Sequence, residues 1–278
     1  MGVWKRIALF AVALVPFTGA SELLVDTTSG PVKGFYNTSS ETVRAFLNIP
    51  YAEPPTGSLR FKPPVPKSRT NQSIDATSFP STCPGLYAYS NESIWSVLPY
   101  SPWNTDSMSE DCLSINVWAP AAKHTKSQPG KTAVMMFVHG GAFTQGGSAI
   151  AYYDGNNIVE DKDGVIVVTF NYRLSVFGFP NAPGLKDGQQ NVVLLDQRLA
   201  VEWVHRNIAQ FGGDPSRIML FGQSAGAAST DMYSYAYPND PIVHAIGILS
   251  GAAPLITNND QMHQNWQNLS VKHSETAI

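Results

Sequence analysis

"RIMLFGQSAGAASTDMYSY" (217–235) decides how the rest of the chain is read. Its first half is a continuous apolar run, which suits a strand buried on both faces. From Ala225 onward the small and apolar residues predict a helix. Between them, Gly222-Gln223-Ser224-Ala225-Gly226 is a G-x-S-x-G pentapeptide. In strand–turn–helix context this pattern is a nucleophile elbow, whose glycines leave room for a sharp turn that exposes the serine hydroxyl. The plainer reading is a structural glycine turn with a spare serine. A serine hydroxyl is a poor nucleophile alone, so Ser224 needs a base, and the base needs an orienting acid.

Three more runs resemble the first: "TAVMMFVHGG" (132–141), "GVIVVTFNYR" (164–173) and "AIGILSG" (245–251). All four suit strands of a parallel sheet covered on both sides. Between the second and the elbow strand, "DQRLAVEWVHRNIAQF" (196–211) places Leu199, Trp203, Val204, Ile208 and Phe211 at helical spacing. Gly212-Gly213 then stop the helix. Strand, helix, strand is a βαβ unit. The fold class is therefore α/β with a mostly parallel central sheet. Further upstream, "CLSINVW" (112–118) alternates as a strand with two different faces. "TTSGPVKGFYN" (27–37) predicts short strands around a turn at Ser29-Gly30-Pro31, and the proline-rich 49–66 predicts extended chain.

The 278 residues suit one or two domains, and 43% of them are hydrophobic, enough for a sizeable core. A net charge of -3 with only 14% charged residues gives no electrostatic footprint for nucleic acid. Residues 1–20 read as a signal peptide. Lys5 and Arg6 form the basic start, Ile7 to Val15 the apolar run, and Thr18 and Ala20 the small residues before cleavage. The competing reading, a membrane anchor, fails because nine apolar residues cannot span a bilayer. Later segments are no longer in this respect, so a secreted, extracellular protein without a transmembrane segment is expected. Asn37, Asn71, Asn91 and Asn268 head N-x-S/T sequons and are expected glycan acceptors. Two cysteines in an oxidising compartment most simply form one disulfide, although two unpaired thiols are the alternative. Such a bridge would close a loop of about 30 residues, worth roughly 3–4 kcal/mol. Two cysteines are too few for a zinc site, and neither metal nor cofactor is implied.

"VHGGAF" (138–143) adds a second element of the site. A strand ending in His139-Gly140-Gly141 leaves backbone N–H groups free at the sheet's carboxyl edge. With the N–H of Ala225 they are placed to receive the oxyanion of a tetrahedral intermediate.

With these motifs in view, the chain resembles the type-B carboxylesterase family, which includes cholinesterases and fungal lipases. The resemblance rests on "IPYAEPPTGSLRF" (49–61), "SEDCLSINVW" (109–118), "HGGAF" (139–143), "NYRLSVFGF" (171–179) and the long stretch from Leu194 to Ser229. It implies an α/β-hydrolase fold over residues 21–278 and hydrolysis of a small-molecule or lipid carboxylic ester through an acyl-serine at Ser224. It also implies that Cys83 pairs with Cys112, and that Gly140, Gly141 and Ala225 form the oxyanion hole. Structural ion pairs are implied between Arg60 and Glu110 and between Arg173 and Asp196.

The chain departs from the family pattern at three places. Gln223 stands where glutamate is usual, keeping the shape and removing a charge. Asn48 stands where glycine is usual. In cholinesterases a tryptophan of the disulfide loop holds the choline cation. Trp95 and Trp103 lie inside the corresponding loop here, where packing is the plainer role.

The triad partners are the larger gap. The resemblance places the acid roughly a hundred residues beyond the serine and the histidine about a hundred further on. This sequence has 54 residues after Ser224. They include Asp231, Asp240, Asp260 and Glu275, with His244, His263 and His273, none in the family's context for acid or base. Upstream, His139 and His205 do not match the base either. The expectation is a partial hydrolase domain, truncated before the strands that carry the acid and the histidine, and nearly inactive alone. A non-catalytic binding or adhesion module and a non-functional product are the alternatives.

Overall fold

The computed structural model describes residues 22–37, 40–86, 108–125, 131–162, 164–181, 185 and 190–255. The proposed signal peptide, Asn91, Asn268, Trp95, Trp103, Asp260, Glu275, His263 and His273 lie outside the described residues.

The chain opens with strands β1 (Leu24–Thr27), β2 (Gly30–Lys33), β3 (Phe35–Asn37) and β4 (Ser40–Pro50), followed by β5 (Ile74–Asp75), β6 (Ser114–Pro120) and β7 (Thr132–Val138). Helix α1 (Asn156–Asp161), strand β8 (Val165–Phe170), helix α2 (Ser175–Gly178) and helix α3 (Val192–Asn207) come next. Strand β9 (Gly213–Gln223), helix α4 (Ala225–Ala236) and strand β10 (Ala245–Leu249) complete the described elements. The sequence-predicted strands and the long helix are all present. Helix α3 starts four residues earlier than its periodicity predicted, because Asn191 accepts the Leu194 N–H and caps it. The first turn falls at Thr28-Ser29, between β1 and β2, slightly ahead of the predicted position.

Seven strands form one sheet in the order β10-β9-β7-β8-β6-β4-β3. The four apolar runs are parallel neighbours, β10 on β9, β9 on β7 and β7 on β8. Strands β6, β4 and β3 add antiparallel pairings, so the sheet as a whole is mixed. A separate three-stranded sheet, β1-β2-β5, packs beside it.

Burial on both faces of the central strands follows from their uninterrupted apolar composition. One face carries Phe46, Ile115, Val117, Met136, Val168 and Leu220, covered by Trp203, Val204 and Phe211 from α3 and the turn after it. On the other face Val43, Ala45, Leu47, Trp118 and Val167 pack against Val159 of α1. Gly212, at φ 96°, ends the α3 segment in the left-handed conformation that glycine adopts without strain.

Asn48 has a structural explanation. The β4–β6 register shifts between Phe46 and Ile49, a bulge that puts Asn48 at φ 61°. Glycine suits such a position best, and asparagine is among the side chains that tolerate it. Its N–H donates to the buried Asn116 Oδ1 at 2.9 Å, which holds the bulge.

Strand β10 departs from its burial expectation. It lies at the sheet edge, with Ile246, Ile248 and Leu249 exposed by 38%, 45% and 51%. Its composition suits a covered strand, but among the described residues no element lies over it on that side.

Candidate active site

The elbow is formed as the sequence requires. Strand β9 ends at Gln223, α4 begins at Ala225, and Ser224 between them sits at φ 55°, ψ -120°. Such a conformation costs a side-chain-bearing residue about 1–3 kcal/mol and persists only where the surroundings enforce it. Here they do. A Cβ on Gly222 would strike the Gly226 backbone, and one on Gly226 would strike the Val138 and His139 carbonyls. The two glycines let strand and helix close on each other, leaving Ser224 half-exposed at the tip.

The loop after β7 comes up against this tip. A Cβ on Gly140 would lie 3.1 Å from the Ser224 Cβ and 2.8 Å from the Gln223 carbonyl oxygen. The loop is tightly wound, with Gly141, Ala142, Phe143 and Gly146 at φ 111°, 54°, 60° and 110°. Among the described residues, the N–H groups of Gly140, Gly141 and Ala225 meet no backbone acceptor. For Ala225 the reason is general: the first N–H groups of a helix have no intrahelical partner. The structure thus brings Gly140 up against the Ser224 side chain, with Gly141 and Ala225 the next residues along the chain from each. Gln223 is exposed, with its amide oxygen next to Gly140.

The candidate acids and bases go elsewhere. Asp231 is more engaged than a solvated helix face would be, since its Oδ2 accepts the Ala253 N–H at 2.9 Å. Asp240 pairs with Arg198 at 2.5 Å. His205 and His244 are exposed. His139 is buried, and burial pushes its pKa down to about 4. Among the described residues no histidine hydrogen-bonds the Ser224 hydroxyl.

The structural pairs stand where the resemblance implies. Cys83 and Cys112 form a disulfide. Arg60 grips Glu110 through two bonds of 2.6 Å at the surface. Arg173 grips Asp196 through bonds of 2.8 and 2.6 Å in the interior. Asn71 is exposed, and Asn37 ends β3. Contacts that the motifs did not reveal are the Ser224–Leu249 backbone bond and the Gly251 contact on the Ser224 carbonyl. A Ser-Gly after an apolar strand was visible in the sequence, but its proximity to the elbow was not.

Comparison with known proteins bears on this geometry. The family described as "Carboxylesterase family" matches residues 21–274. A chlorogenic acid esterase of Aspergillus niger is 47% identical over 254 residues, covering 90% of this chain and 48% of that protein. The acetylcholinesterase of Electrophorus electricus is 44% identical over 215 residues, covering 76% of this chain and 33% of that one. Secreted lipase 5 of Gibberella zeae is 39% identical over 245 residues, covering 84% and 46%. The chain spans about half the length, or less, of these curated relatives.

Proposed function

The chain belongs to the carboxylesterase family and has its α/β-hydrolase fold, and on that premise we propose that Ser224 is the nucleophile of a secreted carboxylic-ester hydrolase. The observation that carries this reading is the strained Ser224 conformation with Gly140 packed against its side chain, where the N–H groups of Gly140, Gly141 and Ala225 meet no backbone acceptor among the described residues. In the reaction, Ser224 Oγ attacks the ester carbonyl carbon and gives its proton to a base. The carbonyl oxygen becomes an oxyanion held by the three N–H donors. The C–O bond then breaks, the alcohol leaves with the proton, and water hydrolyses the acyl-serine to the acid.

Among the described residues no base or acid stands beside Ser224 in the hydrogen-bond network, and the proposed reaction requires both. Loss of the base in a serine hydrolase costs about 10⁶ in kcat, so the proposed turnover depends on both partners being in place. Secretion is supported by the signal pattern of residues 1–20 and by the name of the Gibberella zeae relative. Among the described residues no helix is long and apolar enough to cross a membrane. Asn71, exposed in a sequon, is placed to accept a glycan.

A fluorophosphonate probe tests the reading on the longest natural polypeptide that contains this chain. Labelling at Ser224, with ester turnover lost in Ser224→Ala, is the expected result. A well-folded polypeptide that neither labels nor turns over would instead be a non-catalytic binding module.

A further inference from the structure

His139 is the buried titratable group that the mechanism above leaves without a task. Its side chain is 1% exposed. Nδ1 lies 2.8 Å from the carbonyl oxygen of its neighbour Gly140. A carbonyl oxygen only accepts, so Nδ1 carries the proton and Nε2 is the bare nitrogen. Among the described residues Nε2 has no partner. The ring is held on one face by an aromatic neighbour. It stacks on Tyr172, centroids 4.2 Å apart and planes at 11°, while the Tyr172 hydroxyl donates to the His139 carbonyl at 2.6 Å. Gly146 leaves room for the Nδ1 bond, because a Cβ there would lie 2.7 Å from both Gly140 O and His139 Nδ1.

The peptide that this bond holds joins two glycines. Its carbonyl belongs to Gly140 and its N–H to Gly141. Glycine on both sides makes such a peptide free to flip, since neither residue restricts φ or ψ. The following peptide is secured by the backbone itself, since the Gly141 carbonyl accepts from Thr144 and Gln145 N–H groups at 3.0 and 3.1 Å. The Gly140 carbonyl accepts, among the described residues, from His139 alone. In a trans peptide the C=O and N–H point in opposite directions. Drawing the carbonyl down onto the imidazole therefore turns the Gly141 N–H up and away from it.

We infer that His139 is a positioning residue of the oxyanion hole, its Nδ1–H locking the Gly140–Gly141 peptide so that the Gly141 N–H faces the ester carbonyl on Ser224. The inference rests on the reading of Ser224 as nucleophile. His139 acts through the peptide and touches no substrate. Nε2 meets no acceptor among the described residues, so no hydrogen bond draws the proton there instead.

Two variants of equal size separate the donor from the packing. His139→Asn keeps an N–H near the Nδ1 position, and His139→Leu removes it. In the active full-length polypeptide, His139→Leu is expected to lower kcat on p-nitrophenyl butyrate by about 10- to 100-fold with KM nearly unchanged. His139→Asn should recover most of that loss. Binding of a trifluoromethyl ketone, which forms the same oxyanion on Ser224, should weaken in parallel with kcat. Equal kcat in the two variants, or a loss confined to KM, overturns the inference while leaving Ser224 as nucleophile. Wild-type turnover that survives Ser224→Ala takes down the reading of Ser224, and this inference with it. A measurement on the wild type needs no variant to fold: ¹⁵N-histidine spectra must show His139 neutral with its proton on Nδ1, and a proton on Nε2 refutes the proposal.

Discussion

The backbone N–H of Ser224 donates to the carbonyl oxygen of Leu249 across 3.0 Å. The elbow is therefore tied to β10, the exposed edge strand of the sheet. The turn after β10 is equally close, since a Cβ on Gly251 would strike the Ser224 carbonyl oxygen. The position of the proposed nucleophile depends on three packed backbones: the end of β9, the start of α4 and the exit of β10.

This crowding makes Gly226 intolerant of any side chain. Gly226→Ala drives a methyl into the Val138 and His139 carbonyls, which are backbone and cannot move aside. Destabilisation of about 3 kcal/mol or more is expected from urea unfolding midpoints. Gly57→Ala is the control. Gly57 has positive φ but nothing within 4 Å, and it should cost only about 1 kcal/mol.

The two ion pairs should behave differently despite similar geometry. Asp196 is fully buried, accepts both the side chain and the N–H of Arg173, and orients an arginine that also donates to Lys62 O. Asp196→Asn leaves the Arg173 charge buried without its counter-ion and should cost on the order of 3–5 kcal/mol. Arg60→Ala breaks a pair that faces solvent, and its unfolding midpoint should barely move. A larger effect at Arg60 than at Asp196 would contradict the assignment.

Acid should weaken the fold partly through His139. Burial, its main cause, holds the folded pKa near 4, below the ordinary 6.5. As pH falls below about 6.5 the unfolded chain takes up a proton that the folded chain refuses, so stability falls with pH. The loss levels off below about pH 4, where the folded ring also protonates, and totals on the order of 3 kcal/mol. Urea midpoints of wild type and His139→Asn across this range measure it. The variant curve should be the flatter of the two, and parallel curves would show that another group is responsible.

The exposed apolar edge predicts poor behaviour of the isolated chain. Ile246, Ile248 and Leu249 stand on an edge strand that is paired on one side among the described residues, the kind of surface that recruits other chains. Ile248→Lys should raise the soluble fraction of the isolated chain without shifting its unfolding midpoint. An unchanged soluble fraction would place the aggregating surface elsewhere.

Sequence by itself determined the parts of this protein that rest on local pattern. Continuous apolar runs at 132–138, 165–170 and 218–222 had to become covered strands, because their side chains are apolar toward both faces. The spacing of Trp203 and Phe211 committed 196–211 to helix, and Gly222 and Gly226 committed Ser224 to a sharp turn. Tertiary structure decided what depends on contacts between distant segments. The exposure of β10 is such a case, because composition records what a strand can bury and not whether a neighbour covers it. Asn48 is another, since its positive φ follows from a register shift against β6. His139 is the clearest. In sequence it is a histidine before two glycines, but its ring direction is set by Tyr172, 33 residues on, and by the space that Gly146 leaves. Orientation of a side chain toward its own neighbour's carbonyl has no period and no motif, so only the packed structure reveals it.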